Sequence, residues 1–171
     1  MASGLKNHWR KMTLWERGTK TPFIIKLQGA KANGKRIETP VSLQDIFPTL
    51  VDLCELEVEQ ELDGNSLKPL LTNPSASWDK SALMSHGPEN FAVRKGPWRL
   101  IRYADGSEEL YDMKMDPGEF VNLAHDPSYK GRRKKLRKHV PKSWSYVLGP
   151  ASKSFPTRSQ SPHYKRQYRQ Q

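Results

Sequence analysis

The chain has 171 residues, enough for one domain of ordinary size, and carries 29 Lys and Arg against 18 Asp and Glu. No apolar run approaches the roughly 18 residues that a membrane-spanning helix needs, and the first residues show no apolar signal-peptide core. A lone cysteine, Cys54, excludes an intramolecular disulfide framework and a cysteine-rich zinc site.

The net charge of +11 is unevenly placed, because residues 130–171 hold 13 Lys or Arg and no Asp or Glu. The remainder is close to neutral. Segment 149–171, rich in Pro, Ser, Gln, Lys and Arg, is expected to be disordered, since it has little apolar surface to offset the entropy of ordering. Averaging the charge over the whole chain would mislead.

In chain order, Pro22–Leu27 is a short β-branched and aromatic run, read as a buried strand. Gly29, Asn33, Gly34 and Pro40 mark a loop. Ser42 with Asp45 three residues on resembles a capping box, and Leu43, Ile46, Phe47, Leu50, Val51 and Cys54 recur at helical spacing. This predicts a helix over 42–54, kinked at Pro48, with one apolar face packed on the strand. Beyond the acidic stretch 55–63 the pattern changes near Trp78 to short alternating runs. Strands are predicted at 82–85, 91–94, 98–103 and 108–111, with a hairpin turn at Asp105-Gly106. A basic helix is expected over 129–139. Three regions result: 1–78, 79–142 with a small antiparallel sheet and flanking helix, and a basic tail at 143–171.

Chemistry is sparse in this pattern. Cys54 on the apolar helix face reads as a buried core thiol. His8, Trp9, Arg10 and Lys11 form either a solvated basic surface or an anion site. Asp63-Gly64-Asn65 reads as a turn. No glycine-rich phosphate loop, nucleophile elbow or zinc motif occurs, so a self-sufficient enzyme is not expected.

Several blocks, taken in order, resemble the C-terminal part of the type I sulfatases, particularly the iduronate-2-sulfatase-like branch. Gly4-Leu5-Lys6-Asn7-His8-Trp9-Arg10-Lys11 is similar to that family's Gly-Glu-Lys-x-x-Trp-x-Lys stretch. Thr13–Ile25 continues it, Pro40–Leu50 resembles a kinked family helix, and Leu62–Leu67 matches the following loop. Ala92-Val93-Arg94 through Tyr103, then Glu109–Asp112, Asp116–Glu119 and Asn122-Leu123, resemble the closing subdomain. The likeness covers about residues 4–140.

The resemblance implies an α/β fold: part of an alkaline-phosphatase-like sulfatase domain, then a small antiparallel α+β C-terminal subdomain. Family members hydrolyse sulfuric esters with a calcium ion and a formylglycine made within a Cys/Ser-x-Pro-x-Arg motif. A Lys matching Lys11 contacts the sulfate group, which assigns Lys11 to substrate binding. Within the family-like stretch 4–140 no Cys/Ser-x-Pro-x-Arg occurs (the one match in the chain, Ser154-Phe155-Pro156-Thr157-Arg158, lies in the tail outside the resemblance), Leu5 replaces a usual Glu, and Phe91 stands where relatives often have His. No catalytic residue, metal ligand or cofactor site is therefore expected in this chain, which reads as a truncated sulfatase inactive alone. The parent's partner would be a sulfated small molecule or polysaccharide, and such enzymes are usually exported. An alternative is a polyanion-binding or interaction protein acting through the basic tail. Self-association through an incomplete sheet is also expected, with no membrane contact.

Overall fold

In the computed structural model the described residues are 13–141. Alternating side chains in the second half build one antiparallel sheet from β1 (Ala82–Ser85), β2 (Phe91–Lys95), β3 (Trp98–Arg102) and β4 (Glu108–Asp112), in that spatial order. Gly96 and Gly106 sit in the β2–β3 and β3–β4 connections at φ of +52° and +85°, backbone angles that side chains with a Cβ resist. Leu100 faces Val93 on one side and Leu110 on the other, so the register places like with like. All four strands and the turn at Asp105-Gly106 agree with the sequence expectation.

The two-residue period divides the core between the two sheet faces. Phe91, Val93, Leu100 and Leu110 pack with Ala124, Leu136 and Val140 under α4 (Lys130–Arg137), the expected basic helix. Ala92, Ile101 and Tyr111 form the opposite face and pack with Leu14 and Met113. On the outer edge of β4, Leu123 N–H donates to the Leu110 carbonyl at 2.8 Å, and the Asn122 side chain accepts from Leu110 N–H at 3.0 Å. That irregular segment closes an edge that would otherwise be open to pairing.

The first half departs from the sequence reading in three ways. Residues 22–27 form no strand. They are irregular, with no ladder partner among the described residues, and Ile24 is 89% exposed. A strand needs a neighbour to satisfy its backbone, and none is present here. Second, the capping box at Ser42 and Asp45 closes a 3-10 turn, Leu43–Asp45, and the α-helix proper, α2, spans Ile46–Leu53. Pro48 thus falls in the first turn of α2, where a missing N–H costs little, so the helix geometry changes at Asp45 rather than at Pro48.

The third departure concerns orientation. Leu43, Ile46, Phe47 and Leu50 are exposed, whereas Asp45 and Thr49 are buried at 4% and 3%. The polar stripe of α2 faces inward because it feeds the backbone of loop 63–67. Asp45 Oδ1 accepts from Asn65 N–H at 2.8 Å, and Thr49 Oγ1 accepts from Leu67 N–H at 2.9 Å while donating to the Asp45 carbonyl at 2.5 Å. Lys68, at the start of α3 (Lys68–Thr72), pairs with Asp52 at 2.8 Å and holds that carboxyl below its ordinary pKa. Gly64 lies so close to the Gln44 carbonyl that a Cβ would collide with it. Cys54, expected in the core, is exposed at the end of α2 because the face it belongs to is outward.

Candidate functional site

Lys11, assigned above to the sulfate, lies outside the described residues, as do His8, the rest of the Gly4 block and the tail 143–171. The segment that follows Lys11 is described, and it is strapped to the back of the sheet. Leu14 is buried and its carbonyl accepts from Arg99 Nη1 at 2.6 Å. The other terminal nitrogen of Arg99 donates to the Glu16 carboxylate and to Thr19 Oγ1. Glu119 completes the ring. Its Oε2 accepts from Glu16 N–H at 2.8 Å, and its Oε1 stands 3.2 Å from Arg99 Nε as an ion pair without hydrogen-bond alignment.

Glu119 holds this position at a φ of +57°, an uncommon conformation for a residue with a Cβ. Burial pushes its carboxyl pKa up, against the opposing pull of Arg99 and the Glu16 N–H. Arg94 lies 3.6 Å from Glu16, and burial pushes its guanidinium pKa down. Beside this group, Trp15 Nε1 and the Tyr111 hydroxyl both donate to Glu109 Oε2, at 2.7 and 2.8 Å. Burial, then the Glu109 charge, raises the Tyr111 phenol above its ordinary pKa. The strap is therefore fixed by charges and not by apolar contact alone. Neither Arg99 nor Glu119 was singled out as a site residue by the sequence. Both lie within the blocks that resemble the closing subdomain, and that resemblance gave neither a site role.

A second constellation lines a polar cleft of about 620 Å³ between Gln44, Asp63 and Asn65 on one side and Asp79–Ser81, Lys95 and His139 on the other. Lys95 Nζ bonds the Asp79 carboxylate at 3.0 Å and reaches His139 Nε2 at 3.4 Å, while Ser81 Oγ lies 3.2 Å from His139 Nδ1. An ammonium can only donate, so Nε2 accepts and Nδ1 carries the proton that goes to Ser81. Ser81 thus accepts where a nucleophile would have to donate, and Asp79 bonds Lys95, not the imidazole. This is not a hydrolytic triad. Burial and the Lys95 charge lower the His139 pKa. With partners 44 and 58 residues away, no motif could have announced the group.

Among the described residues no cluster of three His, Cys, Asp or Glu side chains could hold a metal ion. The described residues therefore offer no site that fits the calcium ion the family resemblance implies. Phe91, at the position where relatives often have His, is buried in the core under α4. Asn65 serves Asp45 through its backbone, in keeping with a structural loop. No helix among the described residues is long and apolar enough to cross a membrane.

Residues 4–145 match the family described as N-sulphoglucosamine sulphohydrolase, C-terminal. A sulfatase of Formosa agariphila is 33% identical over 140 residues, which cover 82% of this chain and 27% of that protein. Human arylsulfatase K is 31% identical over 131 residues, covering 67% of this chain and 24% of its own length. A Delta 4,5-hexuronate-2-O-sulfatase of Bacteroides thetaiotaomicron is 34% identical over 132 residues, 70% of this chain and 27% of that enzyme, and supports the 2-O-sulfatase side of the resemblance in part. A 2-O GAG sulfatase of solved structure is 35% identical, with a TM-score of 0.44 over 55% of this chain and 22% of its own. The chain spans about a quarter of the length of the curated relatives it matches. On the family match and these identities, the chain belongs to the sulfatase family, within the C-terminal region of its members.

Proposed function

We propose that the chain acts as the C-terminal part of a sulfuric ester hydrolase whose substrate is a sulfated small molecule or polysaccharide, and that it is not competent alone. Residues 1–78 then belong to the α/β domain and 79–142 form the closing subdomain. Lys11 contacts the sulfate, where a fixed ammonium stabilises charge on the transferring group. Calcium and the formylglycine then belong to the rest of the enzyme: the family-like stretch 4–140 holds no Cys/Ser-x-Pro-x-Arg, and among the described residues no ligand cluster is found. The observation that carries this reading is the outward apolar face of α2, with Leu43, Phe47 and Leu50 at least half exposed. A folded chain leaves such a face open where another body covers it.

The test joins the upstream part of a related sulfatase to residue 4 and measures hydrolysis of an aryl sulfate with calcium present. Activity is expected from the chimera and not from the 171 residues. Lys11→Ala in the chimera should lower turnover strongly, and Lys6→Ala should matter less. Calcium-independent activity of the isolated chain would sink the proposal. Full activity of the Lys11→Ala chimera would remove Lys11 from the site.

A further inference from the structure

Helix α4 sorts its basic residues by type. Lys130–Arg137 contains no acidic residue, and the chain continues with Lys138 at the helix end. Each of its three arginines contacts a sheet residue, with Arg132 and Arg137 still exposed. Arg137 makes a bidentate contact with the Glu108 carboxylate at 2.6 and 2.7 Å, and Arg133 lies 3.5 Å from the same carboxylate while also bonding the Ala124 carbonyl. Arg132 lies over the Trp98 ring at 4.9 Å. These three flank Leu136, which is buried in the core. At about 100° per residue, Lys130, Lys134 and Lys138 then fall on the side opposite Leu136, with Lys135 beside them. All four are exposed.

Among the described residues this lysine row forms no ion pair or side-chain hydrogen bond, and only its members at the helix C-terminal end, Lys134, Lys135 and Lys138, favour the helix dipole. Lys130 sits in the first turn, where a cation opposes the helix dipole, and like charges four residues apart repel. Gly131 lies on the same side, and a Cβ there would meet no atom within 4 Å, so the floor between the lysines is open. Steps of about 6 Å, each turning about 40°, carry the row from Lys130 through Lys134 to Lys138 as a winding cationic track.

We propose that the outer face of α4 is a docking surface for a sulfated polysaccharide chain. Ammonium groups on flexible stems suit sulfates of variable position, whereas the guanidinium forks of Arg133 and Arg137 are engaged by Glu108 and that of Arg132 stacks on Trp98. Single-stranded nucleic acid is the poorer fit, because it needs aromatic platforms, and Trp98 and Tyr129 are packed against the core. Binding here does not depend on hydrolysis, so the surface stands or falls apart from the sulfatase reading.

The experiment titrates the full chain with a heparin oligosaccharide over a series of salt concentrations. Two variants of equal charge change are compared: Lys130→Gln, Lys134→Gln, Lys135→Gln and Lys138→Gln together, and Arg158→Gln, Lys165→Gln, Arg166→Gln and Arg169→Gln together. The first should lose about tenfold or more in affinity near 0.1 M salt, and its log–log salt slope should flatten by about 3. The second should change affinity less than about twofold. The α4 variant should keep its fold, with a melting temperature within a few degrees of the parent, since relief of like-charge repulsion offsets the loss of cations at the helix C-terminal end. Equal losses in both variants would overturn the assignment. Poly(U) binding as tightly as heparin would overturn the choice of polysaccharide.

Discussion

The guanidinium of Arg99, with its side chain 2% exposed, meets two carboxylates, one carbonyl and one hydroxyl. Removing it leaves the buried Glu119 without its cation and Glu16 with Arg94 alone, so Arg99→Ala should destabilise by about 3–5 kcal/mol in urea unfolding. A paired Arg99→Met, Glu119→Gln change should lose clearly less than the sum of its single variants, as expected for coupled groups. His139 gives a pH signature. Its folded pKa is depressed by burial and by Lys95, so the unfolded chain takes up the proton first. Stability is then fully present above about pH 6.5 and falls as pH drops through the window below it. The groups facing the imidazole are Lys95, Asp79 and Ser81. His139→Gln should flatten the dependence in thermal melts between pH 7 and pH 5. An unchanged slope would remove His139 as its source.

At the level of the element, α2 shows what periodicity can and cannot say. The spacing of Ile46, Phe47 and Leu50 marked a helix, while Ser42 and Asp45 marked the capped 3-10 turn that leads into it and not the start of the α-helix itself. The direction in which the stripe points was not legible. It depends on which neighbour is present, and loop 63–67 binds the polar side instead. Thr49→Val should therefore cost about 1–3 kcal/mol, because it leaves Leu67 N–H without its acceptor in a buried place. Phe47→Ser with Leu50→Ser should shift stability within about 0.5 kcal/mol, as for surface substitutions. The same pair should reduce self-association in sedimentation of the isolated chain. A large loss of stability there would mean that the face is packed after all. The sheet was far more legible, since alternation in β2, β3 and β4 faces two covered surfaces and each hairpin carries its own glycine.

Across the whole molecule, what was legible in the candidate site was its ancestry and not its geometry. Ordered blocks from Gly4 to Leu123 identified the family, while the contacts joining Arg99, Glu16 and Glu119 involve residues as far as 103 positions apart. Pairing at that distance leaves no trace in local composition. It leaves one in time. The strands are joined by short connections and can zip consecutively, whereas the strap at 13–19 has to close over a sheet that already exists. Docking of the strap is then the late event, and its interactions are absent when the rate-limiting barrier is crossed. Arg99→Ala should speed unfolding by most of its free-energy effect and leave refolding nearly unchanged, whereas Leu100→Ala in the central strand should slow refolding as well. Stopped-flow chevrons of the two variants read this directly, and an Arg99→Ala refolding arm slowed as much as that of Leu100→Ala would reverse the order. A late, charge-dependent closure also makes residence of the strap a matter of ionic strength, so salt should loosen the segment that follows Lys11 before it touches the sheet.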